Sequence, residues 1–310
     1  MSRTHLKQKL LAMPVAILPT MVGAATLSTI YLTYGYTWIR NLTLWACILI
    51  VLSFVVRIFI GFDTVKKEYA QPIPASLYAG FTMLLMILGS TLFIYMPLLG
   101  KALWGIGLGI HAIHTLIFIY RYIFKNFVFD TFVPTWFVTF NGIMVSTVVG
   151  VPLNVGLIGP IVVYYGLLVF CVLFPFMVRR LILKPLPTPL APAKVILLAP
   201  PSLCLVSYLN FIPNPQPIVV YTLYGIIILL LFYVGYNIPQ IFSEAFHPGF
   251  AGVTFPMAIA TVASTKMVGF FELAENPLFS SIAHQIGGIQ LYITTILIGF
   301  VIYNFLRLLF

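Results

Sequence analysis

The stretch "FHPGFAGVTFPMAIATVAS" (246–264) is apolar enough to lie in a membrane, yet it carries Pro248, Gly249 and Gly252 and then Pro256 in mid-run. Proline in a helix interior removes a hydrogen bond and clashes with the preceding turn, at about 3 kcal/mol or more. A helix built from this run therefore bends at Pro256, and the bend sets the direction in which Phe255 projects.

The rest of the chain shows why the run belongs in a bilayer. Of the 310 residues, 61% are hydrophobic and only 7% charged, with a mean hydropathy of +1.09. A soluble domain carries about 25% charged residues, so this chain cannot cover a soluble surface. Apolar runs of about 20 residues recur along it, the helical and not the barrel signature. Backbone groups in lipid must be paired internally, which makes these runs helices. Ten are expected, over 10–35, 41–61, 77–97, 99–121, 134–153, 155–178, 193–212, 216–238, 249–271 and 280–306. The start, "MSRTHLKQKL", mimics a secretory signal. A retained first span is the expectation, because the apolar run continues past "GAA" and contains Pro14 and Pro19.

The net charge of +10 follows the positive-inside pattern and calls for no nucleic acid. Thirteen Lys and Arg fall on one side: Arg3, Lys7, Lys9, Arg57, Lys66, Lys67, Arg121, Lys125, Arg179, Arg180, Lys184, Lys194 and Arg307. Arg40, Lys101 and Lys266 fall on the other. This split places both termini in the cytoplasm and the protein in the cell membrane as a single multi-pass domain over 1–310. External connections such as "LNVG" (153–156) are short, and cytoplasmic ones such as "RRLILKPLPTPLAPAK" (179–194) are longer, which arranges the spans as five helical hairpins. Even spans such as "VVYTLYGIIILLLFYVGY" (219–236) are smooth and suit lipid. Odd spans carry breakers, small residues and hydroxyls. Irregular helices are tolerated where they face protein or a cavity, so the odd spans are expected inside.

Some features invite chemistry and are read as packing. Cys47, Cys171 and Cys204 have neither metal nor redox spacing. His111 and His114 share one face of the fourth span without a third ligand, so packing or a hydrogen bond to a neighbour is expected and no metal. "GIGLG" (105–109) follows no strand, and its Gly105 and Gly109 suit close helix packing. Asn141, an amide within the fifth span, needs a partner or water. "NLT" (41–43) fits a glycosylation pattern without deciding anything. No H-E-x-x-H, G-x-S-x-G or phosphate-binding loop occurs, so neither an enzyme nor a cofactor is expected.

The segments "ILPTMVGAA" (17–25), "LAPPSLCLVSYL" (198–209) and "VTFPMAIATVAS" (253–264) resemble the tellurite-resistance/dicarboxylate transporter family, which includes TehA proteins and plant slow anion channels. The resemblance spans nearly the whole chain. It implies an all-α membrane fold of ten helices in five hairpins, with quasi-fivefold order around a central pore lined by the odd helices. It also implies a homotrimer. A phenylalanine on the ninth helix plugs the pore in such proteins, and the motif puts Phe255 there. Pro19, Pro200 and Pro256 match the kink positions. Thr82 and Thr139 stand where relatives can carry a kink proline, and Ile17 replaces a small residue. Read from the residues alone, Phe255 is either that gate or one more packing ring among 27 phenylalanines.

The implied activity is passage of small monovalent anions such as chloride or nitrate. Thr20, Thr82, Thr139, Asn141 and Thr254 are the expected lining donors. Lys266, about 16 Å beyond Phe255 at 1.5 Å per residue, is either a cation at the outer mouth or an interfacial lysine beside Glu272 and Glu275. A secondary carrier of dicarboxylate, sulfite or tellurite-type oxyanions is the alternative. Such a carrier should offer a buried cation at mid-depth, and none stands there.

Overall fold

The computed structural model describes residues 3–309, with side chains placed for 7–308; Met1, Ser2 and Phe310 of the domain, and the side chain of Arg3, lie outside. Every regular element among the described residues is helical. Eight helices are long and apolar enough to cross a membrane, and a ninth apolar helix, α2 (Ile17–Thr33), has 17 residues. The expected first span is divided. Its first residues belong to the end of a separate helix, α1 (Arg3–Ala12), and the helix resumes as α2 after a turn over Val15 and Ala16. The expected fifth span is not one helix: the segment runs through α8 (Trp136–Phe140) and α9 (Val145–Val149), separated by a 3-10 turn over Gly142–Met144.

The odd segments are all interrupted, and the first, seventh and ninth share one construction: a turn or 3-10 stretch continues as an α-helix with a proline in its first turn. The third runs from α5 (Pro72–Leu77) into α6 (Ala79–Phe93). The seventh runs from a 3-10 stretch over Thr188–Leu198 into α11 (Ala199–Phe211). The ninth runs from a 3-10 stretch over Pro248–Val253 into α13 (Thr254–Leu273). Pro19, Pro200 and Pro256 thus lie in the first turn of their α-helices, where a missing N–H leaves no bond unmade. The bends occur just before these prolines, in 3-10 or turn geometry.

The inner segments close a ring. α2 packs on α6, α6 on α9, α9 on α11, α11 on α13, and α13 back on α2. Around them stand α3 (Thr37–Ile60), α7 (Pro97–Ile119), α10 (Ile158–Leu183), α12 (Pro217–Ile241) and α14 (Pro277–Leu309), each against inner segments. Burial separates the sets: 61% to 89% of the apolar window is buried in the three long inner segments, against 22% to 33% in the five outer helices. The amphipathic α4 (Phe62–Tyr69) lies in the connection between α3 and α5.

Close approach at the ring depends on glycine. A Cβ on Gly23 would meet the Phe255 backbone nitrogen at 2.6 Å, and one on Gly80 would meet the Pro19 nitrogen at 2.9 Å. Both obstacles are backbone, which cannot step aside. Gly23→Val should therefore push α2 from α13 and cost about 1–3 kcal/mol, as overpacking does. Gly225→Ala, at a site with open space around it, should be neutral or gain a few tenths to about 1 kcal/mol from helix propensity. Thermal unfolding of the two variants in detergent checks this, and equal Tm values would contradict the packing described.

Candidate functional site: where the broken helices converge

Residues of all five inner segments line one cavity of about 70 Å³. Pro19 comes from the first, Leu77 from the third, Gly142 from the fifth, Leu203 from the seventh, and Phe255 with Pro256 from the ninth. The volume exceeds the ~30 Å³ share of one water, yet hydrocarbon walls of this kind keep much larger cavities dry. Phe255 is 5% exposed and borders this space. Its backbone is held against Gly23, so its position is set by a close glycine contact between α2 and α13.

The five expected donors lie elsewhere, and none is among the cavity-lining residues. Thr20 donates to the Ala16 carbonyl at 3.0 Å, and Thr254 to Ala251 at 2.7 Å. Thr82 lies 2.7 Å from both the Ala79 carbonyl and the Nδ1 of His111. Thr139 lies 3.2 Å from the Nε2 of His114 and donates to the Ser76 carbonyl at 3.4 Å. Asn141 donates to the Gly166 carbonyl of α10 at 3.1 Å. The reason is energetic. A buried hydroxyl facing a dry cavity makes no bond, while a carbonyl three or four residues back is always in reach.

Behind this wall lies a polar network that motif reading leaves unassembled. The Nε2 of His111 is 2.9 Å from the Thr139 carbonyl, which only accepts, so that nitrogen carries the proton. The Tyr69 hydroxyl meets the Nδ1 of His114 at 2.5 Å. The pair thus ties α4 and α7 to the third and fifth segments, as its shared helix face suggested. Nearby, Glu68 receives Arg57 at 2.6 Å and Tyr78 at 2.5 Å, and Arg57 also donates to the Leu11 carbonyl at 3.1 Å. Tyr78 sits at the join of α5 and α6, so this half-buried ion pair ties the join of the third segment to α3 and α4. No sequence signal joins these residues, which come from four elements.

At the opposite end of the ring, Arg40 donates to the Ala25 carbonyl at 2.7 Å, to Ser28 at 3.0 Å and to Thr91 at 3.1 Å. Lys266 borders an open depression with Asn210 and Glu272. No group of three or more His, Cys, Asp or Glu that could hold a metal occurs among the described residues.

His247 caps the ninth segment: its Nδ1 accepts the Gly249 N–H at 3.1 Å, beside the cavity-lining Pro248 and Gly249. Burial pushes its imidazole below the ordinary histidine value, against an opposing pull from Glu244. The folded state thus favours the neutral, accepting form. This contribution is fully present above the unfolded value near 6.5 and is lost as pH falls through the lower folded value. His247→Ala should cost about 1 kcal/mol, as a lost cap does, and His247→Asn should recover most of it. Unfolding measured from pH 7 to pH 5 should show a steeper acid loss in wild type than in His247→Asn, and parallel curves would refute the cap.

A ring of broken apolar helices sheathed by regular ones defines an all-helical, multi-pass membrane protein. The particular family follows from comparison. The profile of the SLAC1 family, described as voltage-dependent anion channel, matches residues 12–309. The chain belongs to that family, and anion transport is its general activity. No individual curated protein matches the chain.

Proposed function

We propose that the chain is a passive channel for small monovalent anions, chloride and nitrate among them, whose path runs along the ring axis and is closed by Phe255. The observation carrying this reading is the convergence of all five inner segments on one apolar cavity bordered by Phe255 and Pro256. An aromatic ring across a narrow hydrocarbon bore stops hydrated ions sterically and by dewetting. No acidic residue lines the cavity to repel an anion. Arg40 near one end of the ring adds positive potential on the outer side, while Lys266 shares its depression with Glu272. With almost no fixed charge along the axis, selection rests on diameter and dehydration, so weakly hydrated nitrate passes more readily than strongly hydrated anions.

In this reading both termini face the cytoplasm of a cell membrane, supported by the thirteen-to-three distribution of Lys and Arg. Assembly into a homotrimer and a place near the TehA branch rest on the resemblance of the motif segments.

Phe255→Ala removes the plug and keeps the Pro256 bend. Anion current in planar bilayers should rise strongly, and Phe255→Leu should raise it less. A ring that borders a cavity loses less on truncation than a core phenylalanine, whose loss costs about 3–5 kcal/mol. A sharply lower Tm with unchanged conductance would make Phe255 a packing residue and not a gate.

A further inference from the structure

A second cavity, of about 250 Å³, opens between the outer helices α12 and α14. Its walls are hydrocarbon, aliphatic side chains with Phe232 and Phe242, except at Gln290. That side chain is 3% exposed, and its amide nitrogen and oxygen are both buried with no hydrogen-bond partner among the described residues. Gln290 lies 13 residues into α14, so about 20 Å from the start of the helix at 1.5 Å per residue. This depth lies within the hydrocarbon, where neither water nor headgroups supply a partner. An amide left unpaired there is costly, and few are kept without a role.

An acyl chain can fill the cleft but has no group to offer the amide at this depth. The missing partner must both donate and accept, which a hydroxyl does, and the three side-chain torsions of glutamine let its amide turn to meet one. Size narrows the class further. An apolar cavity of about 150 Å³ holds benzene, so this one takes a ring with alkyl substituents. The floor of the cleft includes Val253 and Met257, four residues apart in the ninth segment. Between them lies Phe255, which borders the central cavity on the other side. An occupant therefore presses on the back of the element whose front carries the closure.

We propose that this cleft binds small lipophilic alcohols and phenols partitioned from the bilayer, held by Gln290, and that occupancy shifts the closure at Phe255. The second half rests on the channel reading; the binding site does not.

The test uses the full chain in nanodiscs with a diazirine-bearing alkylphenol as photoprobe and 2,6-diisopropylphenol as competitor. Competable adducts are expected on cleft residues such as Ile228, Phe232 and Ile293. Gln290→Leu should weaken competition roughly three- to tenfold, the range of one neutral hydrogen bond. The methyl ether of the competitor should bind more weakly to wild type and show no further loss on Gln290→Leu. Gly235→Leu should abolish labelling, because Gly235 lines the cleft with open space around it and the new side chain fills that space without a clash. The Tm of Gln290→Leu should not fall, since no bond within the protein is lost. Labelling that survives both substitutions, or adducts confined to other surfaces, would overturn the site. Binding at the cleft with no change in wild-type current, while Phe255→Ala conducts, would overturn the coupling. A silent Phe255→Ala with cleft labelling intact would instead remove the channel reading and leave the site standing.

Discussion

The structure depends on the rule that no backbone polar group can go unpaired in hydrocarbon. Proline breaks that rule wherever it interrupts a regular helix, and this chain places prolines in segment after segment. In the first, seventh and ninth segments the conflict is resolved by ending one helical geometry and starting another, whereas Pro175 and Pro239 stay inside the outer helices α10 and α12. Pro19, Pro200 and Pro256 each fall in the first turn of a new α-helix, where the missing N–H costs nothing. Such joins need cover from lipid, and five regular outer helices provide it. The ring, its sheath and the convergence of bends at one cavity follow from that single accommodation. Gly23 and Gly80 complete it by letting the α2, α6 and α13 backbones touch at the level of Pro19 and Phe255.

The same constraint explains why the centre is largely apolar. The odd segments hold most of the hydroxyls, yet these groups are spent on the frame. Thr20 and Thr254 bond their own helical stretches, and Thr82 and Thr139 reach toward the histidines of α7. Asn141 crosses to α10. Each bond stabilises a bent segment against its neighbour, and each removes a donor from the axis. What remains at the cavity is proline, glycine, aliphatic carbon, the rings of Phe137 and Phe255, and Thr135, whose buried hydroxyl has no partner among the described residues. In the proposed channel a barrier of that composition would exclude ions by the cost of dehydration, and a small rearrangement at Phe255 would have a large effect on passage.

Much of this was legible in the sequence. Composition placed the chain in a bilayer, and eight of the ten apolar runs correspond to crossing helices within about five residues at most ends. The contrast between breaker-rich and smooth spans matched the division into buried and lipid-exposed helices. Periodicity failed where local geometry decides. The first run is split at Met13 and Pro14, and the fifth is broken at Gly142–Met144. Side-chain direction was the least legible feature. Whether Thr139 faces the axis depends on His114 and Ser76 standing behind it, and those partners lie 25 and 63 residues away. Gln290 looked unremarkable in the sequence, because only the absence of a neighbour in space makes it unusual.

In the proposed channel the cavity where the inner segments meet is part of the conduction path. Leu203 lines that cavity from α11, whereas Leu229 on α12 faces outward. With Cys47, Cys171 and Cys204 replaced by serine in the Phe255→Ala channel, a single cysteine at position 203 should be modified by a charged thiol reagent from the cytoplasmic side. The current should then fall to a small remnant, while a cysteine at position 229 leaves it unchanged. Full modification at position 203, verified by mass, with undiminished current would place the path elsewhere.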